Sequence, residues 1–245
     1  MSTDHYLMFA DGKLVSAVNK TTPASEAAIY IHSQYRAMIL SSPFPCPGAK
    51  TTFTQGTYRF GVFDKMGSKE TAEALGLSLR SFLEERPSMN TMFTAFVSCY
   101  KEPLPMSHEE FAYNLWTMLQ ELHAVDLSAW DSTTSSDPES PDFAFSFAGR
   151  SYFIAGMHSG SPRFARRFAW PTLVFNMHEQ FRYLRSEGIF EKFRDRVRKR
   201  DIALQGYVNP MSTDFGTISE AIQYTGKIEN ENWKCPFNPH QGEKL

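Results

Sequence analysis

Residues 156–181 read GMHSGSPRFARRFAWPTLVFNMHEQF. Pro171 opens a short apolar run, Thr172 to Phe175, with the length and composition of a buried strand, and helix-compatible residues follow from Asn176. A strand passing directly into a helix is a building unit of a sheet with helices packed on it. Upstream, Ser159 to Pro162 is rich in Gly, Ser and Pro, so an element ends at His158, a position of the kind where chemistry is placed. Pro162 suits the first turn of a helix. Arg163, Arg166 and Arg167 then follow at i, i+3 and i+4, and the spacing predicts three guanidinium groups on one helical face. Three cations beside a histidine suit a carboxylate, a phosphate or the propionates of a porphyrin. An exposed basic helix with a histidine nearby accounts for the same spacing.

Working outward, Ala24 to Leu40 reads as a helix with Ser25 as its cap. Pro43, Pro45, Pro47 and Gly48 predict an irregular loop that holds Cys46 by its backbone. Thr57 to Phe63 alternates as a strand, and a helix is expected from Ser68 to about Glu85. Thr91 to Tyr100 reads as a buried strand, with Cys99 an inert core thiol. Ser107 with Glu110 forms a capping box for a helix from His108 to about Asp126. Asp131 to Asp142 has loop composition, and Phe143–Phe147 with Ser151–Ile154 reads as a hairpin. Glu187 to about Leu204 is helical, and its run RDRVRKR suits a solvated face or a docking face for an electron donor. The order of elements predicts one α/β domain, a mixed sheet with helices packed on it, over residues 24–245. Met1 to Pro23 is expected to be an N-terminal arm with one weak strand.

Composition sets the bounds. The 245 residues are 42% hydrophobic and 21% charged, ordinary for a soluble globular protein. A net charge of −2 argues against nucleic acid or an anionic membrane as a partner. No apolar run reaches the roughly 20 residues that span a bilayer. The start, MSTDHYLMFADGK, lacks the basic-then-apolar order of a signal peptide, and three scattered cysteines make no disulfide framework. A cytoplasmic protein with reduced thiols is the expectation.

Among chemical motifs there is no C-x-x-C, no H-E-x-x-H, no G-x-S-x-G and no dinucleotide or phosphate-loop fingerprint. The residues do suit haem, which needs an axial His or Cys, an aromatic slot and cations for two propionates. His158 or Cys46 can supply the ligand, and the 21 phenylalanines can wall the slot. Arg163, Arg166 and Arg167 can hold the propionates.

Three separated motifs carry a resemblance. Phe44-Pro45-Cys46-Pro47-Gly48-Ala49-Lys50, the 156–181 segment and Trp233-Lys234-Cys235-Pro236-Phe237 resemble the YqcI/YcgG family over most of the chain. That family includes haem-dependent guanidine N-hydroxylases of D-cycloserine and guanitoxin biosynthesis. The resemblance implies a monooxygenase with haem b, inserting one atom of O2 into an N–H bond of arginine or a related guanidine. The implied partners are a small guanidine substrate, O2 and a separate reductase, with a homodimer as one assembly to consider. Of the two axial candidates, His158 stands beside the predicted arginine face. Cys46 would supply a thiolate, which favours O–O cleavage. His178 is the candidate distal proton donor, and Glu179 and Asp64 are candidate carboxylates for the guanidinium.

Overall fold

The computed structural model describes residues 2–104, 106–209, 217–227 and 232–239. The expected N-terminal arm instead supplies two strands of the sheet. Leu7–Ala10 (β1) and Lys13–Ser16 (β2) pair antiparallel across Asp11 and Gly12, both at positive φ (49° and 76°). Asp-Gly between two short apolar runs is a strong hairpin signal, because both residues tolerate that backbone.

Glu26–Leu40 (α1) begins at Ser25, whose hydroxyl accepts the Ala28 N–H at 3.2 Å. The proline-rich loop behind it is shorter than its prolines suggest. Pro47–Gln55 (α2) is helical, with Pro47 in the first turn and Cys46 as the N-cap. Proline costs nothing there, since the missing N–H would have had no partner inside the helix. The order continues with Tyr58–Lys65 (β3), Lys69–Glu85 (α3), Ala95–Glu102 (β4) and His108–Ala124 (α4). Both halves of the Ser107–Glu110 capping box are present at the start of α4. Phe145–Phe147 (β5), Arg150–Met157 (β6), Thr172–Met177 (β7), His178–Ser186 (α5) and Phe190–Gln205 (α6) follow.

The seven strands among the described residues lie in one sheet, ordered β2-β1-β3-β4-β7-β6-β5. Only β3 and β4 run parallel, joined through α3. The fold is α/β with a mixed sheet. Side chains alternate across it: Tyr58, Phe60 and Val62 of β3 with Val97 and Cys99 of β4 pack toward α1, while Phe63, Phe96 and Tyr100 join the core under α3 and α4. Trp233 and Phe237 close that second core, and burial pushes the Cys235 thiol up to about 12, an inert group. Among the described residues no helix is long and apolar enough to cross a membrane.

Candidate active site

A cavity of about 300 Å³ lies on the α1 side of the sheet. Phe153, Ala155 and Met157 of β6 with Val174 and Asn176 of β7 form its floor, and the period of two explains why these positions share one face. Tyr35 and Ile39 of α1 and Phe44–Cys46 form one wall. The inner stripe of α6, namely Phe190, Phe193, Arg194, Val197 and Asp201, covers it, together with Phe181 and Arg185 of α5.

Cys46 opens into this cavity from the start of α2, its Sγ accepting the Ala49 N–H at 3.4 Å. Burial raises the thiol pKa, while the backbone N–H groups of Ala49 and Gly48 and the charge of Arg166 pull it down. A thiolate here would sit at a helix N-terminus, where the peptide dipoles favour negative charge. Gly48 brings the helix close to α6: a Cβ there would stand 3.4 Å from the Phe193 ring.

His158, by contrast, does not line the cavity. It follows Gly156 on the other face of β6, stacked on Phe111 of α4 with ring centroids 4.3 Å apart. Its Nε2 lies 3.0 Å from Nδ1 of His108. Burial, and then the neighbouring His108, lower its pKa to about 4, so it is a neutral core histidine on the far side of the sheet from Cys46.

The predicted arginine helix is only a single 3₁₀ turn, Phe164–Arg166, flanked by extended Arg163 and Arg167. Its backbone is drawn back to β6 instead: His158 N–H bonds Arg166 O at 3.0 Å and Phe168 N–H bonds His158 O at 3.3 Å. The three guanidinium groups therefore diverge. Arg163 lines the cavity and meets Asp201 at 3.3 Å. Arg166 also lines it, donating to Gly156 O at 2.9 Å, and burial together with the charge of Arg163 depresses its pKa to about 9. Arg167 points outward, its guanidinium 4.4 Å above the Phe164 ring.

At the junction of β7 and α5, neighbouring residues part. His178 turns to the cavity, with Nε2 3.3 Å from Oε2 of Glu220. Glu220 Oε1 in turn accepts the hydroxyl of buried Tyr224 at 2.7 Å. Glu179 pairs with Arg86 outside the cavity, and Asp64 pairs with Lys101 at 3.0 Å on the surface. Among the described residues the cavity carboxylates are thus Asp201 and Glu220, neither singled out from sequence. Asp201 was legible in principle: Phe190, Arg194, Val197 and Asp201 recur at helical spacing along α6, which contains the basic run. Glu220 stands in a 3₁₀ turn, Glu220–Gln223, with no periodic signal.

The residue types that line the cavity are ones a porphyrin pocket uses. Among the described residues the lining is mostly aromatic and aliphatic, one thiol can ligate, and Arg163, Arg166, Arg185 and Arg194 line the cavity together with Asp201 and Glu220. No group of three or more His, Cys, Asp or Glu among the described residues could hold a bare metal ion.

Comparison with known proteins points the same way as the motifs. A Streptomyces lavendulae protein named as a candidate N(omega)-hydroxy-L-arginine synthase, DcsA, is 27% identical over 212 residues, covering 79% of this chain and 77% of that protein. No solved structure matches the chain. The family model for YqcI/YcgG proteins matches residues 35–238, and the chain belongs to the YqcI/YcgG family.

Proposed function

We propose that this chain is a haem-dependent monooxygenase that N-hydroxylates the guanidine group of arginine or a related guanidino compound, using O2 and two electrons from a separate reductase. The observation that carries the reading is the convergence in one apolar cavity of Cys46 at a helix N-terminus, the electrostatically strained cation Arg166 and the His178–Glu220 pair. Haem b, when bound, supplies the dioxygen chemistry, and a thiolate ligand on its iron favours O–O cleavage.

The chain's own residues take four tasks. Cys46, rather than His158, is the proposed axial ligand, since its sulfur opens into the cavity and His158 faces the other core. Arg166 is the proposed partner of a propionate. Its guanidinium is desolvated beside Arg163, so an incoming carboxylate offsets a charge repulsion already present. The aromatic walls exclude water, which strengthens every charge interaction inside. Glu220 accepts guanidinium N–H bonds, as a carboxylate does in bidentate pairing, and orients His178 to hold or pass a proton beside the reacting nitrogen. A reduced Cys46 is compatible with the cytosol.

The test is turnover. Hemin-loaded protein with L-arginine, an electron source and ¹⁸O2 should give a product heavier by one labelled oxygen atom. Loaded, reduced protein that consumes no arginine and oxygenates none of its guanidino analogues would leave a haem carrier instead.

A further inference from the structure

Asn176 stands in β7, which lies inside the sheet between β4 and β6. Its neighbours Phe175 and Met177 face the core under α3 and α4, so the exposed part of this half-buried residue opens into the cavity. There it interrupts an apolar floor of Phe153, Ala155, Met157 and Val174. An amide among apolar side chains is costly unless it is hydrogen-bonded. Its Nδ2 donates to Phe153 O at 3.2 Å and to Val174 O at 3.3 Å. Two carbonyls can be met only by the amino end of an amide, which fixes its orientation. Oδ1 then bonds none of the described residues and is left as an acceptor held rigidly at the cavity floor.

We propose that Asn176 is a specificity-determining residue whose Oδ1 accepts an N–H bond from the guanidino group of the substrate. The inference rests on this cavity being the substrate site, and it adds a second acceptor to Glu220. A guanidinium carries more N–H donors than one carboxylate can accept, and each one left unpaired in an apolar cavity costs binding. Asp201 is already engaged by Arg163 and by the backbone N–H of Asn209. The uncharged oxygen of Asn176 takes a further N–H without adding another negative charge to the site. It also separates substrate from cofactor. Ionised propionates and dioxygen have no hydrogen to donate, so the open oxygen is matched by the substrate and not by the haem.

Calorimetric titration of the whole hemin-treated chain with L-arginine compares the wild type with Asn176→Val and Asn176→Thr, two variants of nearly equal shape. Threonine can donate to a floor carbonyl and still accept; valine can do neither. Asn176→Val should bind L-arginine about tenfold to a hundredfold more weakly with an unchanged Soret band, and Asn176→Thr should recover most of the affinity. Wild-type affinity in Asn176→Val overturns the proposal and leaves Oδ1 a water site. So does equal weakening in both variants, which would make Asn176 a structural clamp between β6 and β7, or a Soret band lost in both. A difference between the two variants in a protein that turns over no guanidine keeps the contact and removes only the monooxygenase reading. A wild type that binds neither L-arginine nor any other guanidino compound removes both.

Discussion

Cys46 caps a helix, its sulfur accepting the backbone N–H of Ala49 at 3.4 Å, a place usually held by Ser, Thr, Asp or Asn. One atom thus ends a helix and faces a cavity. Cys46→Ser keeps a capping oxygen, whereas Cys46→Ala keeps neither cap nor ligand. Urea unfolding should put Cys46→Ala below Cys46→Ser by about 0.5–1 kcal/mol. A reversed order would show that the cysteine contributes nothing to the start of α2.

Glu220 is held from two sides, by His178 and by Tyr224. Glu220→Gln preserves shape and removes the charge that a guanidinium would meet. The expected result is a fall in kcat/KM of about 100-fold with haem content unchanged. Steady-state kinetics beside a Soret titration check it, and a variant with full turnover would remove Glu220 from the reaction.

Gly156 lies where two parts of the molecule touch. A Cβ there would stand 2.6 Å from Tyr224 O and 2.7 Å from the Phe111 ring, and the glycine N–H bonds that same carbonyl at 2.8 Å. Gly156→Ala should cost about 1–3 kcal/mol in unfolding free energy. Because Tyr224 bonds Glu220, activity should fall further than stability alone explains.

Burial holds His158 and His32 down to about 4 and lowers His108 as well. In the unfolded chain these rings bind protons near 6.5, so below that pH the folded state carries fewer protons than the unfolded one. Stability is therefore full above pH 6.5 and falls as the pH drops toward 4. The loss at pH 5 is on the order of 1–2 kcal/mol each for His158 and His32. Unfolding curves at pH 7.5 and pH 5 measure it. His158→Asn should flatten the slope, and an unchanged slope would mean that the His108–His158 pair does not titrate on unfolding.

Much of the fold was legible because its signals are local. Ser25, Ser68 and Ser107 cap the helices expected of them, and the apolar runs became β4 and β7. The misses have physical causes. Asp11-Gly12 is a hairpin signal inside a short polar segment that suggested an arm with one weak strand. Pro47 resembles a helix breaker but sits where proline is harmless. His158 is adjacent to Met157 in sequence, yet one step along a strand moves a side chain to the opposite face. The arginines matched helical spacing, but the backbone bonds of 158–168 run back to β6. Cys46, Arg163, Arg166 and His178 share a cavity; Arg167 and Glu179 lie outside it. Asp201 follows the helical period of α6, whereas Glu220 joined only through tertiary contacts, which no sequence period encodes.

The most direct measurement is the absorption spectrum of hemin-treated protein, reduced under carbon monoxide, for the wild type, Cys46→Ser and His158→Gln. Ligation by Cys46 predicts the long-wavelength reduced-CO band of a thiolate haem in the wild type and in His158→Gln, and its loss in Cys46→Ser. A band of the neutral-ligand type that survives Cys46→Ser and disappears in His158→Gln would contradict it, as would a wild type that retains no haem.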